Sequence, residues 1–199
     1  MYHPTILEKV IECFKSLPGI GEKSAERISL GIIDMNEDIV NELASSIIDC
    51  KKNLKPCSLC GNLTDQTLCN VCSDNTRKKD LICVLEDYKS VYNFEKSGNY
   101  KGVYHVLNGL ISPIDHVNPS DINISSLIKR CEENTNCEII IALKSTLEGE
   151  ATTMYIKKIL EDKNVIVSRL SYGLPIGAEI DYIDSITLER ALEDRKKIS

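Results

Sequence analysis

At 199 residues, with 42% hydrophobic and 27% charged residues, the chain can bury one core or two or three small ones, and its composition is that of a globular rather than a disordered chain. The formal net charge is −6, and a division after Asp80 leaves −2 and −4 (10 Lys and Arg against 12 Asp and Glu, then 14 against 18), so binding of nucleic acid through bulk positive charge is excluded and any DNA contact must come from local clusters and backbone donors. No apolar run approaches the roughly 18 residues of a membrane span, and the start, with Glu8, Lys9, Glu12 and Lys15, is not a signal peptide; no membrane partner and a cytoplasmic location are expected.

Residues 5–17 carry Ile6, Leu7, Val10, Ile11, Phe14 and Leu17 at three- and four-residue spacing, which predicts an amphipathic helix. Pro18-Gly19-Ile20-Gly21 breaks it. A second helix is predicted over 22–33, with Ala25, Ile28, Ile32 and Ile33 as its inner face, and a third over 37–54, with Ile39, Leu43, Ile47, Cys50 and Leu54. Two glycines one residue apart between helices leave backbone N–H groups and a helix N-terminus open to a phosphate, with no side chain in the way. Lys23 and Arg27, four apart on one face, add charge. The pattern fits a helix–hairpin–helix that contacts DNA through Gly19, Gly21, Lys23 and Arg27. A plain Gly-containing turn, its cations solvated beside Glu22 and Glu26, fits the same residues.

Next come Cys57, Cys60, Cys69 and Cys72, spaced C-x2-C-x8-C-x2-C. Two residues between cysteines let both thiolates of a pair reach one tetrahedral ion, and four sulfurs close its coordination sphere, so the pattern predicts one structural zinc per chain and no catalytic water. Few large apolar residues lie in this segment, and metal binding must supply its folding free energy. Iron–sulfur ligation and a redox dithiol pair are the chemical alternatives. Cys13, Cys50, Cys83, Cys131 and Cys137 are scattered among apolar positions and read as small hydrophobes.

After Cys72 the pattern changes to short apolar runs at Leu81–Leu85, Gly102–Leu107, Glu138–Leu143 and Val165–Val167, separated by helical patterns near 88–97, 124–134 and 148–161. Strands buried on both faces and alternating with helices predict a mostly parallel α/β sheet, and Thr187 leads into a last helix with Leu188, Ala191 and Leu192. Glu86, at the end of the first of these strands, and Glu148 and Glu150 are carboxylates where such sheets bind ligands. A magnesium-dependent nuclease or primase-like enzyme would need several acids converging there. Here Leu143 is followed by Lys144 and Ser145, and a lysine opposes a metal ion. His3, His105 and His116 have no metal spacing, and His105 reads as a structural residue in a strand. No catalytic residue is assigned. Asp181 and Asp184 are weak support for nucleotide binding.

Taken together, Leu17-Pro18-Gly19-Ile20-Gly21 with Lys23-Ser24-Ala25, the cysteine spacing, Tyr100 to Leu107, Gly109-Leu110-Ile111-Ser112-Pro113, Glu148-Gly149-Glu150-Ala151-Thr152 and Gly173-Leu174-Pro175-Ile176-Gly177 resemble the bacterial RecR family of recombination mediators. The resemblance implies a multidomain α/β protein: a helix–hairpin–helix over 1–54, a small C4 zinc finger over 55–76, a Toprim domain over 80–175 and a C-terminal helical, Walker-B-like oligomerisation segment over 176–199. It implies a non-catalytic DNA-repair protein that forms ring-shaped homotetramers or dimers. Such proteins work with RecO, and sometimes RecF, at single-stranded gaps and double-stranded junctions, where they help RecA replace single-strand binding protein. Lys23 and Arg27 match the family's DNA-contacting positions, and Glu148 and Glu150 its RecO-engaging acidic region. The chain departs from the family pattern at Asn108 (a common glycine), Lys144-Ser145 (Asn-Pro), Tyr172 (Arg) and Gly177-Ala178-Glu179 (Gly-Gly-Asp).

Overall fold

The computed structural model describes residues 3–134, 136–171, 174, 177–195 and 197. It divides into two compact units, one up to Leu54 and one from Lys55 onward. The first holds three helices, α1 (Thr5–Lys15), α2 (Glu22–Ile33) and α3 (Glu37–Asn53). α1 packs on α2. Ile11 and Ala25 are buried, as is Ser29, whose hydroxyl donates back to the Ala25 carbonyl and so needs no other partner. Asn36 starts α3 by accepting the Asp38 amide on its side chain at 2.8 Å.

The apolar face expected to point inward on α3 does not do so. Ile39, Leu43, Ile47 and Leu54 are all exposed, no residue of α3 is buried, and Ile33 at the end of α2 is 65% exposed. Periodicity identifies a face that avoids water, not what covers it. Between α1 and α3 this leaves an apolar groove of about 450 Å³ lined by residues that include Val10, Phe14, Leu17, Val40, Leu43 and Ile47.

The second unit begins with a short antiparallel ribbon, β1 (Lys55–Pro56) on β2 (Leu63–Thr64), and a helical turn, α4 (Asn70–Ser73). It continues as β3 (Leu81–Leu85), α5 (Tyr88–Ser97), β4 (Val103–Val106), α6 (Ile124–Glu133), β5 (Glu138–Ala142), α7 (Leu147–Leu160), β6 (Ile166–Arg169) and α8 (Ser185–Glu193). The strands form one sheet in the order β4-β3-β5-β6, and all three pairings are parallel. Helices cover its faces, so β3 and β4 are buried almost throughout, as their unbroken apolar runs require. The chain leaves β3 toward one edge and returns to β5 on the other side. The C-terminal ends of β3 and β5 therefore flank the topological switch point, where open α/β sheets bind ligands.

The expected strands and helices are present, with ends moved by no more than two residues. The last helix starts earlier than Thr187, at Ser185, because the Asp184 carboxylate caps it and accepts the Thr187 amide at 2.9 Å. Asp184 is thereby given a local structural role. Of the Gly-Leu-Pro motif and its neighbour, Tyr172, Gly173, Pro175 and Ile176 lie outside the described residues.

Candidate functional site

The four cysteines come together. Cys57 and Cys60 flank the turn into the β1–β2 ribbon, Cys69 precedes α4 and Cys72 lies within it. All four are buried and their sulfurs lie within 4.8 Å of one another, with Cys60 and Cys69 3.5 Å apart. A tetrahedron of Zn–S bonds of about 2.3 Å sets its sulfurs about 3.8 Å apart, so the cluster fits zinc. Two backbone amides point at the sulfurs, Asn62 N–H at Cys60 (3.4 Å) and Cys69 N–H at Cys57 (3.3 Å), as thiolates require. Hydrogen bonds from the Cys60 and Cys72 thiols hold the Cys69 thiol far below its usual range, while contact with Cys69 pushes Cys60 far above it. Four thiols this close lose their protons together only around a cation.

The finger is joined to the sheet. The Cys60 carbonyl accepts the Val106 amide at 2.7 Å, which continues the hydrogen bonding of β4 into the metal knuckle. Lys79 donates to the Cys72 and Asp74 carbonyls at 2.8 and 2.7 Å and ties down the other end. The four cysteines belong to the same buried cluster as Ile82, Val84, Val106 and Leu107. Asn108 has φ 58°, a left-handed conformation that asparagine tolerates, and its side-chain amide reaches the Gly61 carbonyl at 3.4 Å.

Three of the scattered cysteines, Cys83, Cys131 and Cys137, are buried as read; burial pushes the Cys83 and Cys131 thiols up to about 12. Cys13 and Cys50 are exposed instead, because the faces of α1 and α3 that carry them are uncovered. His105 is fully buried in β4, its Nε2–H donating to the Asn123 carbonyl at 2.7 Å, and burial lowers its pKa to about 4. Among the described residues its Nδ1 has no hydrogen-bond partner, so the residue is structural but only half satisfied.

In the helical unit Gly19 turns the chain with φ 80°, a conformation that a side chain would strain, and Gly21 leads into α2. Gly21, the N-cap of α2, has no side chain to cap the helix's first amides, and among the described residues a Cβ at either glycine would meet nothing within 4 Å. Lys23 and Arg27 are exposed one turn apart beside that terminus. Among the described residues neither takes part in an ion pair.

At the switch point Lys144 Nζ lies 3.0 Å from Glu86 Oε1. The Lys144 pKa is raised, first by that hydrogen bond and further by the charges of Glu86, Glu148 and Asp87. An ammonium thus lies among the carboxylates that a divalent ion would have to gather. Thr146 caps α7 through the Gly149 amide at 3.3 Å. Gly149 is needed there, since a Cβ at this position would lie 1.9 Å from the Lys144 carbonyl oxygen.

The two acids on either side of Gly149 differ in environment. Glu150 faces Arg169 at 3.2 Å and Arg190 at 3.5 Å, beside a cavity of about 570 Å³ between the start of α7 and α8. Arg190 also reaches the Ser145 hydroxyl. Glu148 instead lines a small cleft of about 230 Å³ with Pro113, Ile114, Leu147 and Ala151. Its carboxyl is held below the usual range by the Thr146 hydroxyl and, last, by the Lys144 charge. Ile114 and Leu147 are 80% and 82% exposed, and Met154 follows one face of α7 from Leu147 and Ala151. Nothing in the sequence singles out Arg169, Arg190 or this apolar cleft; alternating strand residues and an isolated helical arginine give no spacing signal.

An α-helical hairpin unit, a four-thiolate metal knuckle and a parallel α/β sheet with acids at its switch point together define a multidomain α/β protein with a structural zinc site. Family models match the chain in the same order: RecR helix-hairpin-helix over residues 7–51, the RecR four-cysteine zinc finger domain over 54–74, Toprim domain over 80–171 and RecR C-terminal over 173–196. The chain belongs to the RecR family. It binds one zinc ion, and its membership supports a role in recombination repair and binding to DNA. Among the described residues no helix is long and apolar enough to cross a membrane.

Proposed function

We propose that the chain is a non-catalytic recombination mediator, a homo-oligomeric DNA clamp that acts in the cytoplasm with RecO, and in some settings RecF, to load RecA at single-stranded gaps. Residues 1–54 form its helix–hairpin–helix, 55–76 its finger, 80–175 its Toprim domain and 176–199 its oligomerisation segment. The observation that carries this reading is the pair Lys23 and Arg27, exposed and unpaired among the described residues beside the uncapped amides of α2, in a chain of net charge −6. Gly19 and Gly21 let a phosphate reach those amides.

A tetramer or dimer is supported by uncovered apolar surface in both units, namely the α1–α3 groove and Ile166, Ile180, Tyr182 and Ile186. Encirclement then multiplies the weak contact that each subunit makes. The Lys144–Glu86 pair speaks for a protein without metal-dependent chemistry, because an ammonium at that place repels a divalent ion. RecO docks on the α7 face at Glu148, with Glu150 behind it, and the exposed Ile114, Leu147 and Met154 supply apolar contact. The test is binding to gapped DNA, with and without RecO, by the wild type and by Lys23→Ala/Arg27→Ala. Unchanged affinity in the double variant refutes the reading.

A further inference from the structure

The sequence places Glu22 and Glu26 beside Lys23 and Arg27, and Glu26 at i+3 from Lys23 is well spaced to neutralise it. In the folded chain this pairing does not occur. His3, just ahead of α1, reaches across to α2, and its Nε2 lies 3.1 Å from Glu26 Oε1. A carboxylate only accepts hydrogen bonds, so Nε2 carries the proton and the imidazole is the donor. Glu22 forms no ion pair with either cation among the described residues. Lys23 and Arg27 are left without an acidic partner among the described residues.

We propose that His3 is a positioning residue for DNA binding: it holds the Glu26 carboxylate and thereby keeps Lys23 free for phosphate. This rests on the assignment of Lys23 and Arg27 to DNA contact made above. His3 itself touches no DNA. Without it, Glu26 is released to pair with Lys23 one turn back, and each subunit loses part of one cation.

The experiment compares the full-length wild type, His3→Ala, Glu26→Gln and His3→Ala/Glu26→Gln on labelled gapped DNA, by anisotropy over a range of salt concentrations. Circular dichroism establishes that each is folded, and His3→Leu, which cannot donate to Glu26, serves in place of His3→Ala should the latter misfold. His3→Ala should weaken binding roughly two- to five-fold, and flatten the dependence of log affinity on log salt by up to about one unit per chain, since one fewer phosphate contact is made. Glu26→Gln should bind at least as well as the wild type, and the double variant should regain wild-type affinity and slope. A simple structural loss would not be rescued by a second substitution at Glu26. His3→Ala binding with wild-type affinity overturns the proposal alone, as does a double variant as weak as His3→Ala. A wild type that binds no gapped DNA overturns the assignment of Lys23 and Arg27 together with it.

Discussion

Removal of zinc should unfold far more than the segment that binds it. The finger is bonded into β4 through the Cys60 carbonyl and the Val106 amide at 2.7 Å, and its cysteines share the buried cluster with Ile82, Val84 and Leu107. A four-thiolate zinc site supplies on the order of 10 kcal/mol at neutral pH. That is comparable to the whole stability of a small domain, about 5–15 kcal/mol. Without the ion, four crowded thiols must reprotonate or separate, and the edge of the sheet beside β4 loses its cover. The tyrosines make a convenient reporter. There is no Trp, and every Tyr except Tyr2 lies after Lys55, with Tyr104 buried in β4 itself. Stripping zinc with a chelator under reducing conditions should therefore collapse the near-UV circular dichroism and the urea midpoint together. Cys60→Ser should behave like the stripped protein, whereas Cys83→Ser, buried but not a ligand, should cost only about 1 kcal/mol. A stripped protein that keeps its near-UV signal and its midpoint would refute the coupling of finger and sheet.

Other expectations follow from single contacts. Gly149→Ala should destabilise by about 3 kcal/mol or more in a thermal melt, because its Cβ would meet the Lys144 carbonyl oxygen at 1.9 Å and backbone must move. His105, whose pKa falls to about 4 on burial from an ordinary 6.5, binds its proton more readily in the unfolded chain. Stability should hold above pH 6.5 and decline as pH falls toward 4, by about 2 kcal/mol at pH 5 from this residue. Urea titrations of the wild type and His105→Gln across that window should show a smaller decline in the variant; equal declines would exclude His105 as the cause. Leu147→Ser/Met154→Ser should weaken capture of RecO about ten-fold or more, with DNA binding by the chain alone unaffected, as measured by calorimetry and anisotropy.

Much of this architecture can be read from residue order. Cysteine spacing alone predicts the metal knuckle, because tetrahedral coordination admits few arrangements. The near-continuous apolar runs at Leu81–Leu85 and Glu138–Leu143 announce parallel strands, since strands covered on both faces carry little polar alternation. α3 misleads for a physical reason: Ile39, Leu43 and Ile47 repeat like a core face, and none of the described residues buries them. Glu148 and Glu150 look alike in sequence, yet one lines an apolar cleft while the other is set against Arg169 and Arg190 from distant segments. Such differences are long-range, and no local spacing encodes them. Asn108 is the opposite case. It stands where the resemblance implies a glycine, and it adopts a left-handed φ of 58° while its amide reaches toward the Gly61 carbonyl.

Whether an acidic chain holds DNA through Lys23 and Arg27 at the start of α2 is decided by anisotropy on gapped DNA. Wild type and Lys23→Ala/Arg27→Ala are compared at the same oligomer mass and with RecO present. The wild type should bind with a steep salt dependence, and the double variant should lose binding while it keeps its zinc, its assembly and its RecO contact. A double variant that binds gapped DNA as tightly as the wild type, with the same salt dependence, would contradict the assignment.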